Sequence, residues 1–343
     1  MRDSGGRDNS MDKKVLKTYR QRADRAVEWL VAQLTSDGAL HLPVDDLACY
    51  YKIPYLFFIS GKIQEANSVL SYIQRTFGCE NGDFATSRDQ KSENGAFVEY
   101  WSYMNGWIAL SAQKMGRFDV AYPAYGYLQS FYHPRHGGFT TQHPYGQHDS
   151  TIDVLTTAHL GLAALYLGDL KKAKTAGHLL QSMFSLQPKK DEGFYLRLRD
   201  DGELITDFAD ESSMFFLVSA TQPNQAYFML GYPIAFLGKL SAATNDSQYV
   251  ETAKAYLEFL LGCKGNLRTF HYSHKVAWGA AILENITKDN RYAELARNIA
   301  DYLAQTQSQD GRWLQDEPAS TFFDQTAEIA IWMREICSEF SSE

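Results

Sequence analysis

Two kinds of apolar segment alternate along the chain. Trp107–Lys114, Thr156–Leu167, Tyr227–Leu240 and Val276–Asn285 are apolar nearly all round, the pattern of helices buried on every side. Ala66–Phe77, Lys171–Leu186 and Glu251–Leu261 place apolar residues on one helical face and polar residues on the other, so one face should meet water. Short turns separate the two kinds: Gly61-Lys-Ile-Gln-Glu-Ala66, Gly116-Arg-Phe-Asp-Val-Ala121, Gly168-Asp-Leu-Lys-Lys-Ala173, Asn245-Asp-Ser-Gln-Tyr and Lys288-Asp-Asn-Arg-Tyr. In each, a Gly or Asn is suited to a left-handed helix end and the polar residues after it to starting the next helix. The turns recur at irregular intervals, longer than the roughly 34-residue unit of a tetratricopeptide array.

The pattern predicts six inner helices, starting near Asp46, Val98, Thr151, Gln225, His274 and Asp324, and six outer helices, starting near Lys17, Lys62, Phe118, Leu170, Ser247 and Arg291. Strict alternation closes most simply as an all-α, (α/α)6 toroid of six helical hairpins, a single domain over residues 13–343. The polar segment 1–12 is expected to be a disordered leader or tag. Inner-to-outer turns are short. Outer-to-inner connections are long, at 78–97, 133–150, 187–224 and 264–273, and rich in Gly, Pro, His, Asp and aromatics. Long loops on one rim usually carry function. The alternating stretch that begins at Phe194 should form a small hairpin there, and the inner helices should open their N-termini onto this rim with the positive ends of their dipoles.

Composition narrows the partner. Hydrophobic residues make up 45% of the 343, with 21 Tyr and 20 Phe, enough for a large core and an aromatic cavity wall. A net charge of −8 with no basic block argues against nucleic acid. No apolar run reaches the ~18 residues of a membrane span. Cys49, Cys79, Cys263 and Cys337 are widely spaced with no CxxC pair, as expected of reduced thiols in a cytoplasmic protein. A small molecule is the partner this leaves, with oligomeric state open.

Several outer helices end alike. Tyr302-Leu303 is followed by Gln307, Gly311 and Trp313; Trp29-Leu30 by Gln33 and Gly38; Tyr127-Leu128 by Gly137, Gly138 and Phe139. This spacing resembles the QW-type repeat of the terpenoid cyclase and protein prenyltransferase toroids, and more loosely the six-hairpin glycosidases and related sugar epimerases. The resemblance spans nearly the whole chain as architecture. The Asp-x-Asp-Asp acid motif of squalene-type cyclases is absent, Asp45-Asp46 is followed by Leu-Ala-Cys, and no zinc-ligand set of the prenyltransferase kind is present. No metal or cofactor is therefore expected.

Polar residues gather where the inner helices begin. The first offers Asp46, Tyr50 and Lys52; the second Glu99, Trp101, Tyr103 and Asn105; the third Asp149 and Asp153; the fourth Gln225 and Tyr227. The fifth is preceded by His271 and carries His274, Lys275 and Trp278; the sixth has Asp324 and Glu328 four residues apart, hence on one face. Asp46 and Asp149 suit helix caps as well as chemistry. Asp153 and Glu328 lie deeper, where an acid is costly unless paired or functional. Asp153, Glu328, Asp324, Asp46 and His274 are the candidate catalytic groups, and Tyr50, Lys52, Glu99, Trp101, Asn105, Asp149, Gln225, Tyr227, His271 and Trp278 the candidate substrate-binding groups.

Convergent acids in an aromatic wall suit acid–base chemistry, with a carboxyl of raised pKa protonating an alkene, epoxide or glycosidic oxygen. The first expectation is a metal-independent cyclase or isomerase of an apolar, isoprenoid-like molecule, the acid being Asp153, Asp324 or Glu328. The alternative is a carbohydrate-active hydrolase, lyase or epimerase. A non-catalytic helical-repeat protein would show a more regular repeat.

Overall fold

The computed structural model describes residues 13–42, 45–147 and 151–341. Among the described residues thirteen α-helices follow one another: α1 (Lys13–Ala32), α2 (Ile53–Ile59), α3 (Ile63–Phe77), α4 (Ala96–Glu99), α5 (Tyr103–Lys114), α6 (Phe118–Leu128), α7 (Val154–Tyr166), α8 (Leu170–Ser185), α9 (Phe228–Thr244), α10 (Ser247–Gly262), α11 (His274–Thr287), α12 (Asn290–Thr306) and α13 (Ala319–Glu339). Helices α2, α5, α7, α9, α11 and α13 pack each on the next, and α13 returns to α2. Their outer partners are α3, α6, α8, α10, α12 and α1. This is the all-α toroid of six hairpins that the alternation predicts, the sixth hairpin joining α13 to α1.

The apolar patterns become the two layers. Every residue of α7 from Val154 to Ala164 is buried, whereas α12 buries only one stripe, including Tyr292, Leu295, Ala296, Ile299 and Leu303. Four inner-to-outer turns take the expected left-handed Gly or Asn, with φ of 76° at Gly61, 72° at Gly116, 84° at Gly168 and 55° at Asn245, while in the fifth a lysine, Lys288, takes that position at φ 57°. Asp169, Asp246 and Asp289 then cap α8, α10 and α12 through their side chains.

Outer helices start within a few residues of the expected positions, but inner ones do not all do so. The first inner helix opens as a single 3-10 turn, Leu47–Cys49, before α2, and the second as the one-turn α4 before α5. The sixth starts at Ala319, five residues ahead of Asp324. The stretch from Phe194 does not fold on itself alone. Strand β2 (Gly193–Tyr195) pairs antiparallel with β4 (Leu217–Ser219), and β3 (Arg197–Leu198) with β1 (Ile152–Asp153), tying the longest loop to the start of α7.

The QW-like ending after α12 closes the ring. Gln307 donates from Nε2 to the carbonyls of Arg22 in α1 (2.8 Å) and Gly311 (2.8 Å), and the Trp313 indole donates to the Leu303 carbonyl (2.8 Å). Gly311 has φ 104°, and a Cβ there would lie 2.7 Å from the Arg25 carbonyl oxygen. Gly38 against Ser68 and Gly82 against Pro123 repeat the device on successive outer helices. Gly311→Ala is expected to lower stability by about 2 kcal/mol or more through strain and overpacking, read as a lower urea midpoint with an unchanged slope. A midpoint equal to that of the unsubstituted chain would show that this turn does not hold α12 to α1.

Candidate active site

The cavity opens where the inner helices begin and encloses about 260 Å³. Its walls are mainly aromatic: Tyr51, Phe97, Tyr100, Tyr103 and Phe228, with Leu155, Met229 and Ala226. Asn94, Met214, Phe215, Phe270 and Tyr272 come from the long loops. Its charged groups are Lys52, Lys275, Asp324 and Glu328, with Gln325 beside them.

Glu328, on α13 and 2% exposed, is the hub. Lys52 Nζ lies 2.5 Å from its Oε2, and Lys275 Nζ 2.6 Å from its Oε1. The Trp332 indole (3.2 Å) and the Tyr103 hydroxyl (3.4 Å) donate to Oε1, and His274 Nε2 is 3.4 Å from Oε2. Asp324, one turn earlier on the same face, pairs with Lys52 at 2.7 Å. Lysine and acid therefore meet where α2 and α11 begin, against residues one to three turns into α13.

Burial drives these groups toward their neutral forms, and their pairing opposes it. At Glu328, burial pushes the carboxyl up, but Lys275 and Lys52 outweigh it and hold it well below the usual carboxylate range. At Lys275, burial wins over the attraction of Glu328, and Lys52 adds repulsion, bringing the ammonium down to about 8. Burial also lowers His274, against the pull of Glu328. Nδ1 of His274 is 2.6 Å from the His271 carbonyl, which can only accept, so the hydrogen sits on Nδ1 and Nε2 keeps its lone pair. Nε2 lies 3.5 Å from Lys275 Nζ. The floor thus holds a carboxylate, an amine poised near neutrality and a neutral imidazole.

Below the floor the ring centre is filled. Trp278 and Trp332 stack at 4.2 Å, and Trp107 lies 5.6 Å from Trp332. Buried His159 bonds the Tyr232 hydroxyl through Nδ1 (2.6 Å) and the Tyr103 carbonyl through Nε2 (2.9 Å), with its pKa brought down to about 3 by burial. The cavity opens toward the loop rim.

Of the sequence-predicted residues, Lys52, Asp324 and Glu328 line the cavity and His274 contacts Glu328 behind it. Glu328 is corrected in role: its pairing with two lysines makes it a carboxylate and not the protonated acid expected. Asp153 does have a raised pKa, from burial, but it caps α7 by accepting from the Thr156 N–H (2.8 Å) and faces Arg197 (3.7 Å). Asp46 is a cap as well, accepting from the backbone of Ala48 and Glu93 and from Ser92. Asp149 lies outside the described residues.

The remaining candidates hold loops or core. Tyr50 donates to Asp45 and accepts from the Leu40 N–H; Trp101 donates to Asp83; Asn105 accepts from buried Lys91. Glu99 pairs with Arg197, and Gln225 accepts from the Ser219 N–H. Trp278 sits in the tryptophan layer, and Tyr227 is buried off the cavity with no hydrogen-bond partner. His271, brought down to about 4 by burial, serves through its carbonyl. Tyr51, Tyr100, Phe228 and Gln325 line the cavity as well, together with Lys275 and Tyr103, which the sequence places at the inner-helix starts. Tyr51, Phe228 and Gln325 directly follow Tyr50, Tyr227 and Asp324 in the chain.

All four cysteines are free, three of them buried. Among the described residues no helix is long and apolar enough to cross a membrane.

The sequence matches no family model and no curated protein. Solved structures are similar across nearly the whole chain. A D-mannose isomerase aligns with a TM-score of 0.67 at 12% identity, over 94% of this chain and 97% of that one. A GH76 alpha-mannanase from Bacteroides thetaiotaomicron aligns at 0.61 and 12% identity, over 94% and 96%. A type II terpene cyclase variant from Scytonema, in complex with geranylgeranyl dihydroxybenzoate, aligns at 0.58 and 12% identity, over 96% and 100%. At such identities these likenesses speak to architecture, and with the ring described above they establish the chain as an α/α toroid.

Proposed function

We propose that the chain is an enzyme that isomerises or epimerises a small hydroxylated carbonyl compound by proton transfer in the central cavity. The observation that carries this reading is the floor: an amine with a pKa of about 8 and a neutral imidazole beside an ionised glutamate. Lys275 and His274 are the proton-accepting pair, and Lys52 faces the oxygen on which negative charge develops. This chemistry calls for no metal. The aromatic walls suit the apolar faces of a sugar, and Gln325 Oε1, which has no hydrogen-bond partner among the described residues, is free to bond its hydroxyls.

The isoprenoid cyclase or isomerase reading is second. The run of Phe97, Phe215, Phe228 and Phe270 favours it. Two lysines at the floor oppose it, because a carbocation held beside them would be repelled, and the central glutamate carries no proton to start the reaction.

The test is incubation of the protein with D-mannose and a panel of aldoses and ketoses in deuterated water, with and without a chelator, followed by NMR. The expected result is a second isomer carrying deuterium at the carbon next to the carbonyl. Complete retention of that hydrogen across the panel, with turnover of polyprenyl substrates, would transfer the assignment to the second reading.

A further inference from the structure

We propose that Lys275 captures the substrate's carbonyl covalently, as a Schiff base, in the central cavity. The inference rests on the carbonyl-isomerase reading and names the reacting atom within it.

The geometry separates the two lysines. Lys52 is clamped by two carboxylates, Asp324 at 2.7 Å and Glu328 at 2.5 Å. Lys275 has one, Glu328 at 2.6 Å. Its other surroundings are the Phe228 ring, 4.7 Å from Nζ to the centroid, and the Tyr103 ring at 5.7 Å. It lines the cavity although only 2% exposed, so a molecule in the cavity meets it while bulk water scarcely does. A desolvated lysine beside a second cation is the arrangement that frees an amine to act as a nucleophile. Its lowered pKa, about 8, agrees with this.

The step balances without a further reactant. The free amine attacks the carbonyl carbon, a C–N bond forms, and the carbonyl oxygen takes up protons and leaves as water. The product is a C=N bond between Lys275 and the substrate. As the iminium this bond draws electrons from the adjacent carbon, whose proton passes to Nε2 of His274, 3.5 Å from Nζ. Return of a proton to that carbon and addition of water release the product and restore the amine. Such a cycle inverts the carbon beside the carbonyl, so epimerisation is the outcome it favours.

The experiment is borohydride trapping on the whole protein with glyceraldehyde or glycolaldehyde, with the modified lysines mapped by peptide mass spectrometry over time. Reduction fixes the imine as an amine that adds the aldehyde's mass less one oxygen. Lys275 should be modified first, ahead of exposed lysines such as Lys189. A lysine that only pairs with Glu328 would be among the slowest, because it is buried. Early modification confined to exposed lysines, or to Lys52, overturns the proposal. A Lys275→Arg variant keeps the positive charge beside Glu328 and should lose the early adduct; persistence of that adduct also overturns it. Deuterium exchange in a parallel sample without borohydride separates the two readings. Exchange without an adduct leaves the isomerase and removes the Schiff base. An adduct without exchange keeps the Schiff base and removes the isomerase.

Discussion

Replacing Lys275 by Met should lower turnover by about 10²–10⁴-fold while the toroid stays folded. The Met side chain fills a similar volume between Phe228 and Tyr103, and Glu328 keeps Lys52 as its counter-ion. The loss should appear in kcat, because the amine acts on the reacting carbon and not on remote parts of the substrate. The pH dependence of the unsubstituted enzyme gives the same group away. The amine is reactive when unprotonated, so kcat should rise about tenfold per pH unit below 8 and level off above it. Glu328, Asp324, Lys52 and His274 surround this amine, and the Tyr103 ring covers it. Turnover within twofold of the parent in Lys275→Met would remove Lys275 from the chemistry.

Glu328→Gln should cost stability as well as activity, by about 3–5 kcal/mol, the usual penalty for removing one partner of a buried pair. Among the described residues Lys275 has no other carboxylate within salt-bridge distance, and Lys52 keeps Asp324. The pH dependence has a defined sign. Lys275 binds its proton less tightly folded than unfolded, so between about 8 and the unfolded value of ~10.4 the unfolded chain holds more protons and stability rises with pH. In Glu328→Gln the folded value drops further, and the rise should begin below pH 8. In the parent, Glu328 contributes above its unfolded value of ~4.3 and loses that contribution as acid protonates it through its lowered folded value. Urea unfolding of both proteins at several pH values reads all of this. A variant as stable as its parent at pH 7 would show that the two lysines do not depend on this carboxylate.

The helix alternation and the turn residues were legible because both are local. A left-handed residue at Gly61 or Asn245 and a cap at Asp169 or Asp289 are decided within a few positions. That Lys52, Asp324 and Glu328 stand out at the inner helices was legible too, since charged residues in apolar helices need a partner or a task, but that the three meet was not. The cavity-facing aromatics were not. Each residue turns about 100° along a helix, so choosing Tyr50 over Tyr51, or Tyr227 over Phe228, moves a side chain from one face to another. The broken starts of the first two inner helices, a 3-10 turn before α2 and the one-turn α4 before α5, left that phase undefined in sequence.

The sequence by itself determined the layers, their order and the rim that carries the long loops, because periodicity and caps act over short range. Only the tertiary structure decided which charges meet. Asp46 and Asp153 look like Glu328 in sequence, yet they fold onto backbone N–H groups and become caps. Glu328 folds between two lysines from other helices and becomes a carboxylate, leaving Lys275 as the group nearest neutrality. Protonation in a buried site follows from burial and from partners hundreds of residues apart, and no local pattern encodes either.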